Sequence, residues 1–238
     1  MEQLKLLLWR KPNCETPRST ADIAKEMLCI IQTLQKHFPE FSTFYIPASH
    51  KERVKETALS QSAIEHLLHK SEPDAALAAR VGYVLSLFSS MDELSSCSLL
   101  ICSGSANTKL PDTINIGFPL CWDWRDDERA ASLEHLFKDL IEAFRPFWGC
   151  LANLSAVQQE RYVVDGMPTT LHWLNYIPEP MLSQIDSRNL PKVLALPDCS
   201  LINGTILKTS RYPTTSVEER ACKHLEMLNS LLLKAPRG

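Results

Sequence analysis

Apolar residues recur along the chain with two different spacings, and these divide it into helices and strands. Recurrence every three to four residues is typical of an amphipathic helix, whereas alternation or a short apolar run between turn residues is typical of a strand. The predicted helices cover about 20–38, 60–69, 127–145 and 216–232. The predicted strands cover 4–9, 42–47, 80–90, 97–104, 113–119, 148–155, 170–178 and 201–210.

Polar residues at the predicted helix starts support this division. Ser19 with Asp22, and Ser216 with Glu219, have the spacing of a capping box, in which two side chains satisfy free backbone N–H groups. Before the third helix, Asp126 or Asp127 is a good N-cap. Prolines at 39 and 146 end the first and third helices.

The order of the elements predicts the fold class. Short polar connections join the strands at 80–90, 97–104 and 113–119, which favours an antiparallel meander. Three strands followed by a helix occur twice, as in a pseudo-repeat of element order. The sequence therefore predicts a single α+β domain over 1–238, with a mostly antiparallel sheet flanked by helices.

Composition and charge exclude several classes of protein. Hydrophobic residues make up 45% of the 238 residues, enough for an ordinary core, and the net charge is -3. So small a charge predicts no direct contact with nucleic acid or with an anionic membrane. No apolar run approaches the roughly 18 residues that span a bilayer, and the run after Lys5 is too short for a signal peptide. We therefore expect a cytoplasmic protein.

The sequence lacks the usual motifs of cofactor and metal chemistry. Its seven glycines are far apart, so there is no phosphate-binding loop and no G-x-S-x-G. His66 and His69 are three residues apart, a spacing that can place two metal ligands on one face of a helix, but the sequence marks no third ligand. The eight cysteines form no C-x-x-C pair, and we expect mostly buried free thiols. The sequence predicts no cofactor and no metal.

One stretch, "CWDWRDDER" at 121–129, concentrates tryptophan and charge. Three interpretations compete: a catalytic carboxylate cluster, a decorated helix start, and a docking surface. Helix capping accounts for part of the acidic run but not for the tryptophans. Tryptophan, arginine and fixed carboxylates together are typical of interface hot spots. The predicted partner-binding residues are Trp122, Asp123, Trp124, Asp126, Asp127 and Glu128.

An enzymatic alternative stays open at this point. His172 lies in the strand "TLHWLNYI", where it would share a face with Leu174 and Tyr176. It could pair with a buried cysteine, and Asp126 with Asp127 could act as acid and base. The alternative to a binding protein is thus a cytosolic hydrolase or transferase.

The second half of the chain resembles the immunity protein 52 family. The matching features are Trp173, Leu174 and Tyr176 in one strand, a Leu-Pro segment before a short apolar run, the strand from Gly204 to Thr209, and a closing helix. The upstream segments "RVGYVLSLFSS" and "INIGFP" and the aromatic-acidic turn are also similar. The resemblance covers about residues 20–234.

This resemblance implies an immunity protein rather than an enzyme. Its members are antidotes to secreted toxins of bacterial competition, including those of type VI secretion, and the usual partner is a nuclease with a restriction-endonuclease fold. The implied function is binding of a cognate toxin in the cytoplasm and inhibition of its nuclease activity by stoichiometric occlusion. A nuclease is basic where it grips phosphate, so an acidic surface with tryptophan anchors would suit it.

Overall fold

The fold is built around a large antiparallel sheet, seen here in a computed structural model. The structure describes residues 3–11, 18–47, 55–57, 59–72, 74–153, 163–164, 167–168, 172–182, 194–195 and 203–213. The elements in chain order are β1 (Leu4–Arg10), α1 (Thr20–His37), β2 (Phe44–Ile46), β3 (Lys55–Thr57), α2 (Gln61–Ser71), α3 (Ala75–Val81), β4 (Tyr83–Phe88), β5 (Ser98–Ser103), β6 (Asp112–Gly117), α4 (Asp127–Phe144), β7 (Trp148–Asn153), β8 (Val163–Val164), β9 (Met167–Pro168), β10 (Leu174–Pro178), α5 (Glu179–Leu182), β11 (Leu194–Ala195) and β12 (Gly204–Lys208).

Ten of these strands form one sheet in the order β11-β12-β10-β7-β1-β6-β5-β4-β2-β3, and β8 pairs with β9 separately. Neighbouring strands run antiparallel throughout. The strand that begins the chain, β1, lies inside the sheet between β6 and β7. The predicted α+β class with an antiparallel sheet is confirmed, and so is the β4-β5-β6 meander.

Three helices cover one face of the sheet. Alternate residues of the strands, such as Leu6, Leu8 and Ile116, point into the same core as the apolar stripes of α1, α2 and α4. Helix α1 begins where predicted, because the Ser19 hydroxyl accepts a hydrogen bond from the Asp22 N–H at 3.1 Å. This face holds most of the buried apolar residues among those that the structure describes.

The opposite face of the sheet is buried in its middle strands and more exposed toward β4 and β5. Near β1 and β7 it carries a second buried cluster, in which Trp9 stacks on Trp148 with ring centroids 4.6 Å apart. Over β4 and β5 it is more open: Val84 and Leu100 are 49% and 37% exposed. The two halves of this face are therefore not equivalent.

One part of the sequence-based prediction needs correction, and another falls on residues that the structure does not describe. Residues 80 and 81, predicted as the start of a strand, end helix α3 instead. Gly82 makes this possible, since its φ of 81° suits a helix C-cap and any side chain there would press on the Ser103 carbonyl. The predicted final helix at 216–232 lies outside the described residues, so the second half of the pseudo-repeat stays a prediction.

The cysteines only partly match the expectation of buried thiols. Cys97 and Cys150 are buried, and burial raises the pKa of each thiol, which keeps it protonated and unreactive. Cys29 and Cys121, in contrast, are exposed. The five cysteines of the described segments are all free. In those segments no helix has both the length and the apolar character needed to cross a membrane.

A partly buried ion-pair network ties β1, α1 and β6 together at one end of the sheet. The Arg10 guanidinium donates to Glu26 and, at 2.6 Å, to Asp112, while Arg18 donates to Glu26 at 3.0 Å. The Ser103 hydroxyl adds a hydrogen bond to Glu26. Burial acts to raise the pKa of Glu26, but the hydrogen bonds and charges of Arg10 and Arg18 outweigh it and lower that pKa.

We predict that Glu26→Gln lowers the free energy of unfolding at pH 7 by about 2 kcal/mol, because Arg10 and Arg18 lose their shared carboxylate. Since the pKa of Glu26 is lower in the folded state, its stabilisation is present above the ordinary glutamate pKa of about 4.3 and is lost as the pH falls below it. The difference between wild type and variant should therefore shrink at acidic pH.

Urea unfolding of both proteins at pH 7 and at successively lower pH measures this difference. Glu179→Gln, at an exposed position on α5, is the matched control and should change stability little. Equal unfolding free energies for wild type and Glu26→Gln at pH 7 would contradict the assignment.

Candidate functional site

The candidate loop, residues 118–128, leaves the end of β6 and leads into α4. Phe118 is fully buried, and its N–H donates to the Leu4 carbonyl, which continues the sheet pairing by one residue. The chain then turns, with the Trp122 N–H 3.4 Å from the Pro119 carbonyl. The Cys121 N–H donates to the Leu94 carbonyl at 3.0 Å and so attaches the loop to the β4-β5 connection.

Both tryptophans of the loop belong to an aromatic cluster made of Phe38, Phe41, Phe118, Trp122 and Trp124. Trp122 stacks on Phe41 and on Phe118 with centroids 5.5 and 5.7 Å apart. Trp124 meets Trp122 edge to face at 5.7 Å. Both indoles are half-buried against the main core. The cluster therefore anchors the loop to the C-terminal end of α1 and leaves part of each indole at the surface.

An arginine completes the cluster from outside. The Arg129 guanidinium lies 4.5 Å from the centre of the Trp122 ring, in the geometry of a cation–π contact. Arg129 belongs to the first turn of α4, so this contact joins the helix to the loop that precedes it. Tryptophan under arginine at a half-exposed position is a composition common in protein interfaces.

Three of the four carboxylates act locally, within the loop and the first turn of α4. Asp126, rather than Asp127, is the N-cap of α4: its Oδ1 accepts from the N–H groups of Glu128 and Arg129 at 3.0 and 3.3 Å. Asp123 accepts from the Arg125 N–H at 2.9 Å and closes a turn of its own. The predicted capping role is thus confirmed. Glu128 is exposed in the first helical turn, where its charge complements the helix dipole.

Asp127 holds a different segment of the chain. Its carboxylate accepts from the Arg211 guanidinium at 2.8 and 3.0 Å and from the Tyr212 hydroxyl at 2.6 Å. The Tyr212 hydrogen bond and then the Arg211 hydrogen bonds lower the pKa of Asp127. The same bond to Asp127 raises the pKa of Tyr212. Asp127 and Arg211 are 64% and 71% exposed, so the pair positions the segment after β12 more than it stabilises the fold.

A second ion pair fixes the same neighbourhood. Lys208, the last residue of β12, lies 2.5 Å from Glu134 of α4, and both side chains are 18% exposed. The segment from 208 to 212 is therefore held to α4 at two points. Arg211 and Tyr212 thus lie beside Asp127, and the sequence pattern did not indicate them because they are 84 and 85 residues away from it.

The residues of the enzymatic alternative are placed differently. His172 is 4% exposed and precedes β10 instead of lying within a strand that begins at 170. Its backbone N–H donates to the Asn175 side chain, whose amide donates back to the His172 carbonyl, at 2.8 and 2.7 Å. His66 and His69 are both exposed on α2. Across the described ranges, no three His, Cys, Asp or Glu side chains are grouped as metal ligands.

We predict that Asp126→Ala lowers the free energy of unfolding by about 1 kcal/mol, because α4 loses its N-cap. Asp127→Ala should leave stability almost unchanged, since Asp127 and Arg211 are both highly exposed. Thermal or urea unfolding of the two neighbouring variants, measured side by side, makes each the control for the other. Equal losses in both would contradict the division of roles between the two aspartates.

Comparison with known proteins yields a fold and not a family. No family model matches the chain, and no curated protein sequence matches it. Among solved structures, the chain is similar to the Pseudomonas aeruginosa T6SS protein PA0821, with a TM-score of 0.57 and 12% sequence identity. The likeness covers 97% of this chain and 72% of the Pseudomonas chain. At this identity the likeness shows that the two proteins share a fold.

Proposed function

We propose that this protein is an immunity protein that binds a type VI secretion effector and neutralises it by occlusion. The observation that carries the proposal is the fold shared with a T6SS protein over 97% of the chain. The sequence features that resemble the immunity protein 52 family suggested the same function, but no family model matches the chain, so the family itself stays a prediction. The proposed place of action is the cytoplasm, and the proposed effector is a nuclease.

The surface of the candidate loop has the composition that such binding needs. Two half-buried tryptophans supply rigid apolar area that is already ordered before binding, which lowers the entropy cost of association. Arg129 lies over Trp122, Arg125 and four carboxylates belong to the same stretch of chain, and Arg211 pairs with Asp127. This mixture suits a hot spot that recognises a specific protein surface better than it suits a uniform imitation of DNA.

The charges of the loop still favour a basic partner. Asp127 is paired with Arg211, and Arg129 lies over Trp122. The four carboxylates at 123, 126, 127 and 128 therefore outnumber the three arginines beside them, Arg125, Arg129 and Arg211, by one. A nuclease presents basic groups where it contacts phosphate, so this local excess of negative charge can compete for that surface.

The first experiment is co-purification of this protein with the product of the adjacent gene. The proposal expects a stable complex at a one-to-one ratio, because occlusion requires one antidote for each toxin. Failure of the two purified proteins to associate would contradict the proposed function.

We predict that Trp124→Ala weakens this complex by about 2 kcal/mol or more, or about thirtyfold in Kd, because a half-exposed indole at a hot spot is lost. Trp9→Ala is the matched control. Trp9 is also half-buried, but it lies near the end of β1 that is remote from the candidate loop. Calorimetric titration measures both. Equal affinities for the two variants would place the interface elsewhere, with the segment 178–200 as the next region to mutate.

A further inference from the structure

The connection between β4 and β5, residues 89–97, is an ordered loop and lies beside the candidate loop. Its ends are closed by the Ser89 N–H donating to the Cys97 carbonyl and by the Cys97 N–H donating to the Ser89 hydroxyl, both at 2.9 Å. Asp92 accepts from the Leu94 N–H at 3.3 Å, inside the loop. We name this segment the acidic hairpin loop.

This loop presents the two most exposed large apolar side chains of the described residues. Met91 is 66% exposed and Leu94 is 51% exposed. Exposed apolar side chains are ordinary when they are single, but two within four residues of a rigid turn form a small anchor that a partner can cover. Methionine adapts its shape to such a partner because its side chain is unbranched and flexible.

The acidic hairpin loop and the candidate loop form one surface. The Cys121 N–H donates to the Leu94 carbonyl at 3.0 Å, so the backbones of the two loops are in direct contact. The meander explains their proximity: β4 ends and β5 begins where β6 ends. The loop 104–111 lies at the opposite end of the same strands, which are six residues long and so separate the ends by about 17 Å.

The charges around this anchor select the kind of partner. Asp92 and Glu93 are exposed beside Met91 and Leu94, and hydrogen bonding to Ser95 and Leu94 lowers the pKa of Asp92, which keeps it ionised. At the same end of the sheet the candidate loop adds four carboxylates (123, 126, 127 and 128) against Arg125, Arg129 and Arg211, so the two loops together stay net negative. Carboxylates around exposed apolar groups repel phosphate and anionic lipid, and they complement a basic protein surface.

We propose that the acidic hairpin loop is the second half of the effector-binding surface, with Met91 and Leu94 packed against apolar area of the partner and the surrounding carboxylates opposite its basic side chains. This inference rests on the proposed function, because it names the chemistry of the partner at that site. It enlarges the interface from one loop to two and identifies apolar anchors outside the tryptophan-rich stretch. The apolar pair supplies contact area, and the carboxylates steer the encounter.

The test is the affinity of Met91→Ser/Leu94→Ser for the purified product of the adjacent gene. We expect the Kd to rise at least tenfold. Leu110→Ser is the matched control, because Leu110 is 40% exposed in the loop at the opposite end of the strands, and its Kd should stay within about twofold of wild type. Unfolding midpoints equal to wild type establish that both variants are folded.

Charge reversal tests the electrostatic part separately. Glu93→Lys should slow association at least fivefold at low ionic strength, and the effect should shrink in high salt. Glu179→Lys is the matched control. Glu179 is exposed at the opposite ends of the strands, so this variant should leave the association rate unchanged.

Each outcome bears on a different claim. If Met91→Ser/Leu94→Ser and Glu93→Lys both bind the partner as wild type does, this inference is overturned and the proposed function is unaffected. Absence of any wild-type complex overturns both proposals. Loss of affinity in the loop variants, with both controls unchanged, supports the two-loop surface.

Discussion

The pairing of β1 between β6 and β7 is the constraint on which the rest of the structure depends. The first strand of the chain pairs with residues more than a hundred positions later on both sides, so the sheet is complete only when distant segments meet. Its alternating Leu4, Leu6 and Leu8 then face the helices and form the floor of the core. The Arg10 network closes one end of this strand, and the Phe118 N–H bonded to the Leu4 carbonyl closes the other.

That second closure places the candidate site. Because β6 is fixed against β1, the chain leaving it at Phe118 must turn over the end of α1, where Phe38 and Phe41 receive Trp122. Helix α4 follows at once, capped by Asp126. The site is therefore a consequence of the sheet register and of aromatic packing. Its two tryptophans are already packed against the core without a partner, which suits recognition by a preformed surface.

Local patterns in the sequence predicted the elements whose signals are local. Ser19 and Asp126 mark helix starts by chemistry that acts within three residues, and the strands of the meander are recognisable from their own composition. Helix α3 was missed because its last turn, Arg80 and Val81, adjoins a strand rich in the same residue types. The partner of Asp127 was missed because Arg211 approaches it only through the pairing of β12. The apposition of Leu94 and Cys121 likewise depends on sheet topology, which no short window encodes.

The most direct test of the account is a titration of the adjacent gene product, assayed for DNA cleavage, with increasing amounts of this protein. Stoichiometric occlusion predicts that cleavage falls in proportion to the protein added and ends at one molar equivalent. Full cleavage at several equivalents would contradict the proposed antidote function. Loss of cleavage at a small fraction of an equivalent would indicate that each molecule inactivates many toxin molecules, and it would favour the enzymatic alternative.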